Sequence, residues 1–177
     1  NFKKIMKDTI ILLIPLAGML LITYLLLQHF FNKTLKENQK ELIALKNEKI
    51  IPLKMQAYER AILFLERIDP SNMVIRAHKN GMNAPSLHVA LLKIIREEYT
   101  HNMSQQIYIS PNSWKELIKG KEETIQLINN SINQLDDKSN GIQLSSKIFE
   151  NIALIKTSPS EKARNAIIRE FQKSMNS

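Results

Sequence analysis

The chain has 177 residues, a formal net charge of +8, 44% hydrophobic side chains, 6% aromatic ones and no cysteine. Without cysteine there is no disulfide framework, no thiol nucleophile and no acylated lipid anchor. Four glycines and six prolines, set against abundant Leu, Ile, Lys, Glu and Asn, suit helices better than a sandwich or barrel, and nothing repeats at a solenoid period.

Residues 1–8 read as a short tail carrying Lys3, Lys4 and Lys7. From Thr9 to Asn32 no charged side chain occurs. At about 1.5 Å rise per residue, its most apolar part, Ile10 to Leu27, reaches across most of a hydrocarbon layer about 30 Å thick. The run is apolar on every side apart from Thr9, Thr23 and Gln28, whereas a core helix of a soluble domain keeps a polar face. A cleaved signal peptide has a shorter apolar region ending in small residues, but here Leu25, Leu26 and Leu27 continue it. The stretch Leu16-Ala17-Gly18 looks like the end of a lipoprotein signal, yet Met19 follows where a cysteine is needed. Residues 9–31 are therefore expected to form a transmembrane helix, with Pro15 tolerated and Ala17-Gly18 leaving a notch that faces either lipid or another helix.

Orientation follows from counting basic residues. Lys33, Lys36, Lys40, Lys46 and Lys49 follow the span and three lysines precede it, which favours a cytoplasmic C-terminal part. Residues 32–51 read as a helical neck: Lys33 and Glu37 lie four apart, and Leu35, Leu42 and Leu45 fall at coiled-coil spacings over two heptads, short of the three or four that define a coiled coil. Lys33, Lys36 and Lys40 are membrane-proximal and can touch anionic headgroups or simply solvate a helix face.

Residues 52–177 are expected to form one bundle of about five helices, so the fold class is all-α behind a single N-terminal span. Pro52 suits a first turn, and the helix Leu53 to Ile68, with Ala57, Ala61, Phe64 and Ile68 on one side and Tyr58, Ile62 and Leu65 on the next, should be wrapped by others. Asp69-Pro70-Ser71-Asn72 breaks it; a short helix from Met73 to Lys79 follows, then a turn at Asn80-Gly81 and a helix start at Asn83 to Pro85. The next helix carries Leu87, Leu91, Ile94 and Ile95 and ends before Ser110, with Gln106 to Ile109 as its end or a loop. Ser110-Pro111 is a cap followed by proline, opening a long amphipathic helix with Trp114, Leu117, Ile118, Ile125, Ile128, Ile132 and Leu135. Asp136 to Gly141 ends it. Two more helices are expected, one with Ile142, Ile148, Ile152 and Ile155 as its apolar residues, the other opened by Ser158-Pro159-Ser160-Glu161 and carrying Ala163, Ala166, Ile167 and Phe171.

The strings Pro52 to Arg60, Leu63 to Ile68 and Ile95 to Ser110, together with Trp114 and Lys121-Glu122-Glu123, resemble an uncharacterised family of single-pass, membrane-anchored helical proteins from Bacteroidota-type bacteria. The resemblance implies a helical domain behind one anchor in a bacterial inner membrane. It carries no activity and no catalytic residues across.

Glu98 and His101 form one E-x-x-H pair on a helix face, the element that carboxylate-bridged di-iron bundles use twice; no second copy exists, and the chain has only His29, His78, His88 and His101. Glu97 and Glu98 offer two carboxylates for acid–base work, but adjacent helical residues point about 100° apart. Ser86 and His88 sit near a helix start, where serine caps more often than it attacks. No dinucleotide fingerprint, P-loop or nucleophile elbow is present. The net charge is +2 over residues 1–32 (three lysines, one aspartate), +3 over 33–60 (seven basic, four acidic), nil over 61–140 (nine and nine) and +3 over 141–177 (six and three). That is no dense basic face, so no nucleic acid is expected as partner.

Two functions remain. One is an adaptor or accessory subunit of an inner-membrane complex, meeting the lipid bilayer, other membrane proteins or identical copies, with Arg60, Glu97, His101, Gln105 and Trp114 as its interaction residues and with no catalytic residue, metal or cofactor. The other is an enzyme or metal-binding domain using Glu97, Glu98 and His101. Convergence of these side chains in a concave pocket favours the second; use of them to lock helices or to present a surface favours the first.

Overall fold

A computed structural model describes the backbone of residues 2–175 and the side chains of residues 15–175. The lysine cluster Lys3, Lys4 and Lys7 lies outside the described side chains. Six α-helices and one 3-10 turn make up the described chain, with no strand among the described residues: α1 Phe2–Arg67, α2 Pro70–Ala77, α3 Ala84–Asn102, the 3-10 turn Met103–Ile107, α4 Pro111–Ile132, α5 Gly141–Ile155 and α6 Pro159–Met175. Two compact units divide it, Asn1–Ile51 and Pro52–Ser177.

The first unit is helix alone. Its described large apolar side chains, including Leu20, Leu21, Leu26 and Phe30, are all exposed, and by length and composition α1 is long and apolar enough to cross a membrane. The hydroxyl groups of Thr23 and Thr34 donate to the carbonyls of Met19 and Phe30 at 2.8 and 3.0 Å, which satisfies them within the helix itself. Lys33 Nζ reaches Glu37 Oε1 at 3.9 Å on an open face.

In the second unit the last part of α1 supplies the centre of the core, as its two apolar sides predict: Ala57, Tyr58, Ala61, Phe64, Leu65 and Ile68 are at most 2% exposed. Around them lie Met73 of α2, Leu87, Leu91 and Ile95 of α3, Leu117 and Ile128 of α4, Leu144 and Ile148 of α5, and Ile167 of α6. Helix starts are set by local chemistry. Asp69 Oδ1, Asn83 Oδ1 and Ser110 Oγ accept from backbone amides at 3.0, 2.8 and 3.1 Å, and Asn140 and Gln143 form a reciprocal capping box. Gly81 supplies the positive φ of the turn before α3, at 78°. The starts of α3 and α5 are tied side by side, because the Ala84 amide donates to the Ser139 carbonyl at 3.0 Å and the Gly141 amide to the Met82 carbonyl at 2.7 Å.

Four expectations are corrected, the first at Pro52, which opens no helix but lies inside α1, Phe2–Arg67. The short helix is Pro70–Ala77 rather than Met73 to Lys79, since Asp69 caps it and Pro70 already takes its first position. The bundle therefore comprises the end of α1 and five further helices. Helix α4 stops at Ile132, and Leu135 packs against the core from the following turn. On α5, Ile142 and Ile155 are exposed and Leu144 joins Ile148 in the core, because α5 begins alongside α3 and turns that face inward. As expected of a helix end, the segment 103–107 winds as a 3-10 turn, which carries the chain from α3 towards the buried Ile109.

The buried face of α4 is built on small residues as much as on its isoleucines: Ser113, Gly120, Thr124 and Ser131 are fully enclosed beside Leu117 and Ile128. Thr124 and Ser131 satisfy their hydroxyls on the carbonyls four residues back, at 2.8 and 2.7 Å. This lets α6 come close. A Cβ added at Gly120 would stand 2.5 Å from the Ala163 Cβ.

Candidate functional site

Helices α1 and α3 enclose a depression of about 510 Å³, lined by Gln56, Glu59, Arg60, Leu63 and Phe64 on one side and Glu98, His101 and Asn102 on the other, with Arg67 at its edge. Three of the expected residues, Arg60, Glu98 and His101, thus come together. Glu98 is committed: Arg67 Nη1 donates to both of its carboxylate oxygens, at 3.1 and 3.2 Å. That pair joins α1 to α3, and Asn102 Nδ2 adds a bond to the Glu98 carbonyl at 2.8 Å. Arg67 and Glu98 lie 31 residues apart, so no local spacing announces the pair. The Arg67 carbonyl in turn accepts from Arg76 Nη2 at 2.5 Å, closing the end of α1.

The other expected residues lie elsewhere. Glu97 faces away, pairing with Lys93 at 3.7 Å on the exposed side of α3. Gln105 sits in the 3-10 turn with its amide 3.5 Å from the Ser104 hydroxyl. Trp114 is half-buried against Tyr99, whose ring centroid is 6.2 Å away, and Tyr99 is flanked by Phe64 and covered by the Lys121 ammonium at 4.1 Å. Trp114 is thus a packing residue of the α3–α4 contact. His88 has a structural role too, its Nε2 lying 2.7 Å from Asn129 Oδ1 across that contact. Lys33, Lys36 and Lys40 are exposed on α1. As to metal, Glu98 and His101 share the depression, but no third ligand joins them among the described residues.

A larger groove of about 800 Å³ runs between α4, α5 and α6. One wall carries Gln126 and Asn130 of α4, another Lys162, Asn165 and Arg169 of α6, and Leu154 and Ile155 of α5 supply apolar surface. None of these polar residues stands out as a motif. A signal was nevertheless present: Gln126, Asn130 and Gln134 recur every four residues, an uncharged amide stripe in a chain that otherwise solvates its helices with Lys and Glu.

Two half-buried junctions hold the helices that frame these surfaces. The Asp69 carboxylate accepts from Ser158 Oγ at 2.5 Å and Ser160 Oγ at 2.8 Å, so one side chain caps α2 and fastens the start of α6. Ser110, the cap of α4, donates through Oγ to Glu170 of α6 and through its amide to the Tyr58 hydroxyl at 3.1 Å.

Comparison with curated proteins and with solved structures gives no match. A family model does match, over residues 4–174. The helical chain thus belongs to the family of unknown function DUF7935.

Proposed function

We propose that this chain is a membrane-anchored helical adaptor, an accessory subunit of a bacterial inner-membrane complex, with α1 crossing the bilayer once and the domain 52–177 displayed in the cytoplasm. The use made of Glu98 carries this reading. Bonded through both oxygens to Arg67, it holds two helices together, and the neighbouring Glu97 faces another surface, so the carboxylates an acid–base or metal mechanism needs do not converge. Supporting the anchor are the apolar side chains of the first unit, exposed all round the helix, and the five lysines that follow them. Lys33, Lys36 and Lys40 are placed to meet anionic headgroups. Partner proteins are received on the surfaces around Arg60 and His101 and along the α4–α6 groove.

Gentle-detergent purification from native membranes tests the adaptor: a stoichiometric membrane protein should accompany the wild type and be partly lost from Arg60→Ala and His101→Ala, both exposed positions. Recovery of the chain alone argues against it. A reporter behind Ser177 should behave as cytoplasmic, and alkaline phosphatase activity there would reverse the orientation. The metal alternative rests on Glu98 and His101 sharing one depression; it requires one equivalent of tightly held metal in the purified wild type, lost in both Glu98→Ala and His101→Ala.

A further inference from the structure

The neck acquires a second meaning once α1 is known to run unbroken from Phe2 to Arg67. Two heptads in isolation say little, but an uninterrupted helix carries the same seam upstream. Counting back from Leu45 and Leu42 in alternating steps of three and four reaches Leu35, Phe31, Tyr24 and Leu21, all more than half exposed. The positions between them, Asn38 and Gln28, are the amides of the seam, and Lys49 ends it. Four heptads now lie on one face, within the first unit.

We infer that this face, Leu21 to Lys49, pairs with the same face of a second copy as a parallel coiled coil. The inference rests on the anchored reading in one respect: two copies inserted in one membrane share their direction, so the pair is parallel and its members are held at high local concentration. Three observations select a second copy as the occupant. A solvated helix with no packing of its own is marginal in water, and residues 33–51 leave Leu35, Leu42 and Leu45 uncovered. In a parallel pair the position before one seam residue faces the position five further along the other copy, which sets Glu41 against Lys46 of the second copy with opposite charges. Gln28, an amide inside the uncharged run, finds in the identical side chain a donor and an acceptor that lipid cannot supply. Asn38 supplies a second such match and fixes the register.

The chain lacks cysteine, so single thiols can be placed without background. Full-length Leu35→Cys and Leu42→Cys, oxidised with copper–phenanthroline in native membranes, should give a species of twice the monomer mass at least tenfold faster than Lys40→Cys and Asn47→Cys, which lie on the far face. Adding Glu41→Lys to Leu42→Cys should slow the reaction several-fold, and adding Lys46→Glu as well should restore it. Equal rates at all four positions, no cross-linking at any, or failure of the charge exchange to rescue would overturn the parallel pair. Alkaline carbonate extraction of the same samples separates the two readings. Seam-selective cross-linking in chain released to the supernatant removes the anchor and keeps the pairing, whereas chain retained in the pellet without selective cross-linking does the reverse.

Discussion

Helix α1 uses similar apolar residues at two places with opposite results. Between Leu16 and Phe31 its large apolar side chains are 51–72% exposed; between Ala57 and Ile68 the core residues are at most 2% exposed. The difference lies in what stands between them. Glu59, Arg60, Glu66 and Arg67 interrupt the second stretch and give it a wet side, so its dry side fits a bundle; the first stretch has no wet side, and a bundle of this size has no means of wrapping it. Hydrophobicity sets the demand for cover, and its arrangement around the helix decides what kind of cover will serve.

Paired substitutions break or sharpen that contrast. Phe64→Ala should cost about 3–5 kcal/mol in urea unfolding followed by helical circular dichroism, because it empties the centre of the core, whereas Leu21→Ala in the first unit should leave the same transition unmoved. A shift on Leu21→Ala would mean that the bundle depends on the first unit. Asp69→Ala removes a helix cap and the carboxylate acceptor shared by two buried serine hydroxyls, one on each side of Pro159, for about 2–3 kcal/mol; Glu37→Ala, which breaks an exposed pair, should lose less than about 0.5 kcal/mol. Gly120→Ala should cost about 2 kcal/mol by overpacking, and Ala163→Gly in the same chain should recover much of it. Gly18→Ala is the matched control, since a Cβ there meets nothing within 4 Å in the described structure. One further effect has the opposite sign. Lys156 ends α5 with φ 65°, so Lys156→Gly should raise stability by about 1 kcal/mol.

Much of the fold was legible because it is written locally. Ser110-Pro111, Asn83 before Pro85, Asn80-Gly81 and Ser158-Pro159 each mark a boundary through the chemistry of a few neighbouring residues, and Ala57 to Ile68 declares a buried helix by period alone. What escaped depends on a partner helix. Gly120 reads as a weak core residue until α6 lies against it and Ser131 until Asn151 of α5 bonds to it, and Ile142 reads as core until α5 is oriented by its tie to α3. The site divides in the same way. Arg60, Glu98 and His101 meet because two of them share a helix face, but Arg67 arrives from 31 residues away and takes up the carboxylate on which the E-x-x-H reading relied.

The Asp69 junction bears on the order in which the chain can mature. Its two hydroxyl partners come 89 and 91 residues later, so throughout synthesis of α2 to α5 the carboxylate waits without them. Contacts of such long separation are slow to form, and the apolar N-terminal part of α1 will have left the ribosome well before this latch can close. The domain is thus completed by its last helix. A stalled or shortened product ending before Ser158 would leave the small-residue face of α4 open, a natural target for proteolytic quality control.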